Sequence, residues 1–194
     1  MQAQALGYAS EDLRRLAAIA PGGVDQPQQL ARVIDWFGYL AEWKTRYEIK
    51  SVRSSLHSAR ITCIDAAILS YGLLELLFAD VKRRLLAIHR RAPNGEECGH
   101  CVTLYWGPDG RIGAFSKSSF PGLGHRDPIF ADELAVAASY GRAYLDMGFQ
   151  PLYFGVSTLE EVAPDLDWRH QRGHLNQISE RLTQRYEYAF LLAR

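Results

Sequence analysis

The chain has 194 residues, 47% of them hydrophobic, and its 22 Lys and Arg balance its 22 Asp and Glu to a formal net charge of zero. A chain this long buries roughly 70% of its unfolded surface, so its core needs neither disulfides nor a structural metal, and three cysteines, an odd number, argue against a disulfide framework. Zero net charge supplies no cationic field for nucleic acid or an anionic membrane, and neither is expected as a partner.

Residues 1–8 show no basic segment followed by an apolar run and a small-residue cleavage site, so a cytoplasmic protein is expected. Ser10, Glu11 and Asp12 signal a helix start, and Pro21-Gly22-Gly23 stops the helix that runs through Leu13, Leu16 and Ile19. A second helix is expected over about 27–47, with Leu30, Val33, Ile34, Phe37, Leu40 and Ala41 on one face. Trp36, Phe37, Tyr39 and Trp43 cover more of it than one stripe, which fits core packing or else a substrate groove or dimer surface. From 48 to 60 the periodicity lapses into a Ser-rich loop carrying Lys50, Arg53, His57 and Arg60, with no acid after Glu48.

Thr62 is placed to cap the next helix, and Asp65, three residues on, completes a capping box. Cys63 falls in its first turn. Apolar residues from Ile64 to Phe78 surround the axis, which marks the central, buried helix. Asp65 and Glu75 interrupt the stretch, and it falls short of the ~20 residues of a membrane span.

The period then changes to two, with strands expected over 85–89, 99–106 and 111–118. The last two form a hairpin through Gly107-Pro108-Asp109-Gly110, where Pro and Asp suit a type I turn and Gly110 the left-handed position of a G1 bulge. Pairing 107 with 111 makes every cross-strand pair sum to 218, so His100 lies opposite Ser118 and Val102 opposite Ser116. One face then carries His100, Val102, Leu104, Trp106, Ile112, Ala114, Ser116 and Ser118; the other carries Cys101, Thr103, Tyr105, Gly113, Phe115 and Lys117. The first is expected to cover the helix. A loop over 121–128, a helix over 132–147, a strand over 151–156 and a closing helix over 171–193, striped by Leu175, Ile178, Leu182, Tyr186, Ala189 and Phe190, complete the chain. Arg169, His170, Arg172 and His174 would begin that last helix without a special role. The expected fold class is α+β: a central buried helix on an antiparallel sheet with flanking N- and C-terminal helices. It forms a single domain over 1–194, with N-terminal helices at 10–48, a core at 60–157 and a C-terminal helix at 171–193.

Cys63 and His100 are the first candidate constellation. A helix N-terminus and an adjacent imidazole are the two standard means of lowering a thiol pKa, and both are available to Cys63; the pairing predicts alkylation well below pH 8. Ser118 directly across the hairpin, or Ser116 one step diagonal, would orient the imidazole. The competing account makes Cys63 a small buried hydrophobe and His100 a satisfied core residue.

Thr62-Cys63-Ile64-Asp65-Ala66-Ala67 and Gly99-His100-Cys101-Val102-Thr103-Leu104-Tyr105 resemble the nucleophile helix and histidine strand of the transglutaminase-like cysteine enzymes. Gly113-Ala114-Phe115-Ser116-Lys117-Ser118, His125-Arg126-Asp127-Pro128 and Ala138-Ser139-Tyr140 are similar to a less characterised bacterial branch, so the likeness covers about residues 60–145. The resemblance implies a transglutaminase-like or papain-like core in which Cys63 is nucleophile and His100 base. The family's Asp position is held here by Ser116 or Ser118, so a hydroxyl, a water or a displaced acid such as Asp127 would orient the imidazole, or the domain would be inactive. It further implies a hydrolase or acyltransferase without a cofactor, acting on a peptide, amide or acyl-thioester. The alternative is a non-catalytic binding domain of the same fold. Oligomeric state is not legible.

Two rival motifs share these residues. Cys98-Gly99-His100-Cys101 spells a CxxC redox core, but that chemistry needs the first Cys at a helix N-terminus, and a strand follows here. Cys98, His100 and Cys101, with His89 or Cys63, offer zinc donors, yet adjacent strand residues point to opposite faces, and no metal is expected. Arg60 of the basic loop, with Lys117 and Trp106 on the hairpin, completes the candidate substrate-binding set; the loop's charges otherwise belong to a solvated surface.

Overall fold

The computed structural model describes residues 7–41, 48–162, 167–171, 173–174 and 186–188. Helix α1, Ser10–Ile19, starts where the Asp12 carboxylate turns back to accept from the Ala9 N–H at 2.9 Å. The helix expected over 27–47 is shorter: a 3-10 turn at Pro27–Gln29 leads into α2, Leu30–Trp36, and the chain then extends as β1, Gly38–Tyr39. β1 pairs in parallel with β3, Arg60–Ile61, and a Cβ on Gly38 would stand 3.0 Å from Cγ of Arg60, so the close pairing suits a glycine. Residues 42–47, with Trp43, lie outside the described residues. The expected loop over 48–60 contains β2, Glu48–Ile49, and a short helix α3, Val52–Leu56, because Ser51 caps it by accepting from the Ser54 N–H and because Val52 and Leu56 have a core to enter.

Helix α4, Cys63–Leu77, carries the expected capping box: Thr62 Oγ1 accepts from the Asp65 N–H, and Asp65 Oδ2 accepts from the Thr62 N–H at 3.0 Å. It is buried along nearly its whole length, which agrees with its lack of a polar face. No helix among the described residues is long and apolar enough to cross a membrane.

The sheet consists of β4, Arg83–Arg91; β5, Glu97–Trp106; β6, Ile112–Phe115; β7, Arg126–Phe130; β8, Gln150–Ser157; and a short edge strand, Tyr186–Glu187. Between β7 and β8 lies helix α5, Glu133–Asp146, capped by Asp132, and after β8 comes a one-turn helix α6, Leu159–Val162. A two-residue strand β9, Gly173–His174, pairs with β2, and Tyr186–Glu187 is β10. The six-stranded sheet runs β10-β8-β4-β5-β6-β7, antiparallel throughout. Strands at 173–174 and 186–187 break the closing helix expected over 171–193; its other stripe positions, Leu175, Ile178, Leu182, Ala189 and Phe190, lie outside the described residues. β7 replaces part of the expected 121–128 loop; it is an edge strand, where Pro128 is tolerated.

The hairpin has its expected register, with Trp106 opposite Ile112 and Thr103 opposite Phe115, and Gly110 at φ +80° closes the turn. Pairing stops there, so the 102–116 and 100–118 pairs do not form, and β5 keeps an open edge from Val102 toward Glu97. The faces are the reverse of the expectation. Cys101, Tyr105 and Phe115 pack with α4 and the N-terminal helices, and the Thr103 hydroxyl donates to the Ala67 carbonyl at 2.6 Å; Val102, Leu104, Ile112 and Ala114 pack instead with Val136, Tyr140 and Tyr144 of α5. Both faces of the hairpin are apolar because helices cover the sheet on both sides, so alternation alone does not say which helix lies on which side.

Candidate functional site

Cys63 stands at the head of α4, 1% exposed. The cap that fixes this turn is tied to β2, since Asp65 Oδ1 accepts from the Lys50 N–H at 2.8 Å and the Lys50 ammonium lies 3.4 Å from Oδ2. Burial pushes the thiol up to about 11; the backbone N–H groups of Cys101 and Ile64, and the charge of Arg90, favour the thiolate without offsetting that desolvation. Burial thus works against the activation that a helix N-terminus would give. Tyr39 on β1 sets its hydroxyl against the same sulfur, and burial raises the phenol further from ionisation.

His100, 5% exposed, occupies the open edge of β5 among Tyr140 and Tyr144, with ring centroids at 6.0 and 6.3 Å. Its Nε2 lies 2.9 Å from Ser116 Oγ. The Ser116 hydroxyl has one proton, and that proton is directed to the Leu123 carbonyl at 2.6 Å. The oxygen therefore accepts from His100, so Nε2 carries the hydrogen and Nδ1 is left as the basic nitrogen. Burial pushes the imidazolium down to about 3, and the charges of Arg90 and Arg126 act in the same direction. Among the described hydrogen bonds, none joins His100 to Cys63.

Arg90 belongs to no motif legible in the sequence. It continues the Leu86, Ile88 face of β4, and a cation at the end of an apolar alternation was the signal available. The side chain is 4% exposed; Nη1 donates to the Tyr144 hydroxyl at 2.8 Å and toward the Gly99 carbonyl at 3.4 Å, while Nε has no partner. Its guanidinium lies 4.4 Å from the Tyr144 ring centroid, 5.0 Å from Phe149 and 5.8 Å from Phe120. No carboxylate pairs with it among the described residues. A buried cation thus bears on the thiol, the imidazole and Tyr39 together.

The remaining candidates are dispersed. Ser118 accepts from the Phe120 N–H at 3.1 Å and makes no described bond to His100. Asp127 is exposed on β7. Arg60 spends its guanidinium on the Tyr39 carbonyl at 2.8 and 3.1 Å, Lys117 donates to the Asp35 carbonyl at 3.2 Å, and Trp106 lies 4.1 Å beneath the Lys82 ammonium. The basic stretch is neutralised locally, because Arg53 and His57 both reach Asp12, at 3.3 and 3.0 Å. Arg169 grips Glu75 with two bonds of 2.6 and 2.8 Å. Cys98 and Cys101 lie three positions apart on one strand, about 10 Å at 3.3 Å per residue and on opposite faces, too far for a disulfide. The redox reading of that motif falls with this geometry.

No family model and no curated protein matches the chain. Two structures of LapG from Legionella pneumophila are similar at 17% identity and a TM-score of 0.41: an EGTA-treated form, covering 93% of this chain and 93% of its own, and a second covering 86% and 90%. This is a distant likeness of fold and carries no assignment of chemistry.

Proposed function

We propose that the chain is a thiol-dependent acyl-transfer enzyme of the transglutaminase-like type, with Cys63 as nucleophile and His100 as base. The observation that carries this reading is the committed tautomer of His100, whose Nε2–H is held by Ser116, which leaves Nδ1 as the nitrogen with the lone pair. A serine hydroxyl does here what a carboxylate does in a three-membered site, orienting the ring without adding charge. In the reaction the Cys63 sulfur attacks an amide or thioester carbonyl while its proton passes to Nδ1 of His100. The tetrahedral oxyanion then expels an amine or thiol, which takes that proton from the imidazolium. Water or an amine next attacks the thioester carbon, gives its proton to Nδ1, and Cys63 leaves and recovers it. Burial disfavours both the thiolate and the imidazolium, so in this reading proton transfer accompanies attack, and Arg90 supplies positive charge when the thiolate or oxyanion develops.

A non-catalytic binding domain is the second reading, favoured by the burial of Cys63 and by the lack of a described bond between it and His100. Intact-mass trapping with a panel of amide and thioester donors separates the two. The enzyme gives an acyl adduct on Cys63 that is absent in Cys63→Ala and strongly reduced in His100→Gln. A folded protein that no donor acylates would leave the binding domain.

A further inference from the structure

The carboxylate that the site lacks beside His100 stands one histidine further away. Beyond Phe115 the chain leaves the ladder, and Ser116 is held by other means. Its backbone N–H donates to Nδ1 of His125 at 3.1 Å, and Nε2 of His125 lies 3.0 Å from Asp35 Oδ1. A backbone amide can only donate, so His125 Nδ1 accepts; the ring proton is then on Nε2 and is donated to the Asp35 carboxylate. The Ser116 hydroxyl meanwhile accepts from His100. Donation thus runs one way through four residues, from His100 on β5 to the Ser116 hydroxyl just past β6, and from the Ser116 backbone N–H to His125 before β7 and on to Asp35 of α2, while the Ser116 hydroxyl proton goes to Leu123.

We infer that Asp35 and His125 are a positioning pair that holds Ser116 in place and so sets the proton of His100 on Nε2. The inference rests on His100 being the base. Neither residue touches the reacting atoms: the Asp35 side chain is 63% exposed and the His125 side chain 19%. The groups facing His125 are Asp35; Lys117, whose ammonium is 3.9 Å from the same carboxylate oxygen; Arg126, which donates to the carbonyls of Gly122, Gly124 and His125; and the Phe115 ring at 6.1 Å. Removing the acceptor at Nδ1 of His125 would leave the Ser116 N–H without this partner and free the serine to move away from His100.

The substitutions His125→Asn, His125→Leu and Asp35→Asn test this, because an Asn Oδ1 can still accept from Ser116 whereas Leu cannot. Imidazole 15N shifts report the His100 tautomer whether or not any donor reacts. The expectation is a single Nε2–H form in the parent and in His125→Asn, and a mixture with Nδ1–H in His125→Leu, with Asp35→Asn between them. Acylation of Cys63 should fall roughly 10–100-fold in His125→Leu and stay within about threefold in His125→Asn. A His100 that keeps one Nε2–H tautomer in His125→Leu, or in Asp35→Asn should the Leu variant not fold, overturns the inference even if Cys63 acylates. A tautomer that follows His125 while no donor acylates Cys63 upholds the positioning pair and sinks the thiol reading instead.

Discussion

His100 and Cys101 are neighbours on β5, each 5% exposed, and the strand turns them to opposite layers. Cys101 enters the α4 layer, where burial and the nearby Cys63 drive its thiol far from ionisation, and only its backbone N–H bears on the candidate nucleophile. His100 enters the α5 layer, where a buried cation, a tyrosine and a serine surround it. Equal burial therefore produces an inert packing residue on one face and a proton-committed ring on the other. The difference lies in the polar partners each face supplies, not in the degree of exclusion from water.

The sharpest way to break this comparison is Arg90→Met, which removes the buried cation of the α5 face. Acylation of Cys63 should drop about 100-fold, while stability to urea should stay within about 1 kcal/mol of the parent, because no buried carboxylate is left unpaired. Large destabilisation with acylation unchanged would make Arg90 a packing residue. A second effect is the pH dependence of folding. His100 is depressed from 6.5 to about 3 in the folded chain, so between those values the unfolded chain takes a proton that the native chain refuses. Stability should fall as pH drops through this window, by at most about 1.4 kcal/mol per pH unit from this residue, and His100→Gln should flatten the slope in urea titrations at pH 4 to 6. Smallest is Thr103→Val on the α4 face, which deletes the hydroxyl bond to Ala67 at 2.6 Å. It should cost roughly 1 kcal/mol in a thermal melt and leave acylation intact.

Local signals were legible where one segment makes its own structure. The Thr62–Asp65 cap, the full apolar circumference of α4 and the Gly107–Gly110 turn read directly, because capping, burial periodicity and turn chemistry are set within a few residues. The helix over 27–47 misread because β1 at Gly38–Tyr39 gains its pairing from β3, remote in sequence. The basic stretch from Lys50 to Arg60 reads as a reserve of charge for the thiol, yet Asp12 on α1 and Asp65 on α4 take up Arg53, His57 and Lys50, and Arg60 turns to the Tyr39 carbonyl. Nothing within their own segments joins Arg90 or the Asp35–His125 pair to Cys63 or His100, so their roles are not legible in the sequence.

By itself the sequence determined an α+β chain with Cys63 at the head of a buried, capped helix and His100 beside a hairpin whose register follows from its turn; each depends on contacts a few residues apart. Only the tertiary structure decided which layer each face of β5 meets, where β6 leaves the ladder, and which cation and hydroxyl reach His100. Those outcomes turn on residues brought together from distant segments. They also turn on desolvation, which raises the thiol and lowers the imidazole in opposition to the trend a helix N-terminus alone would impose.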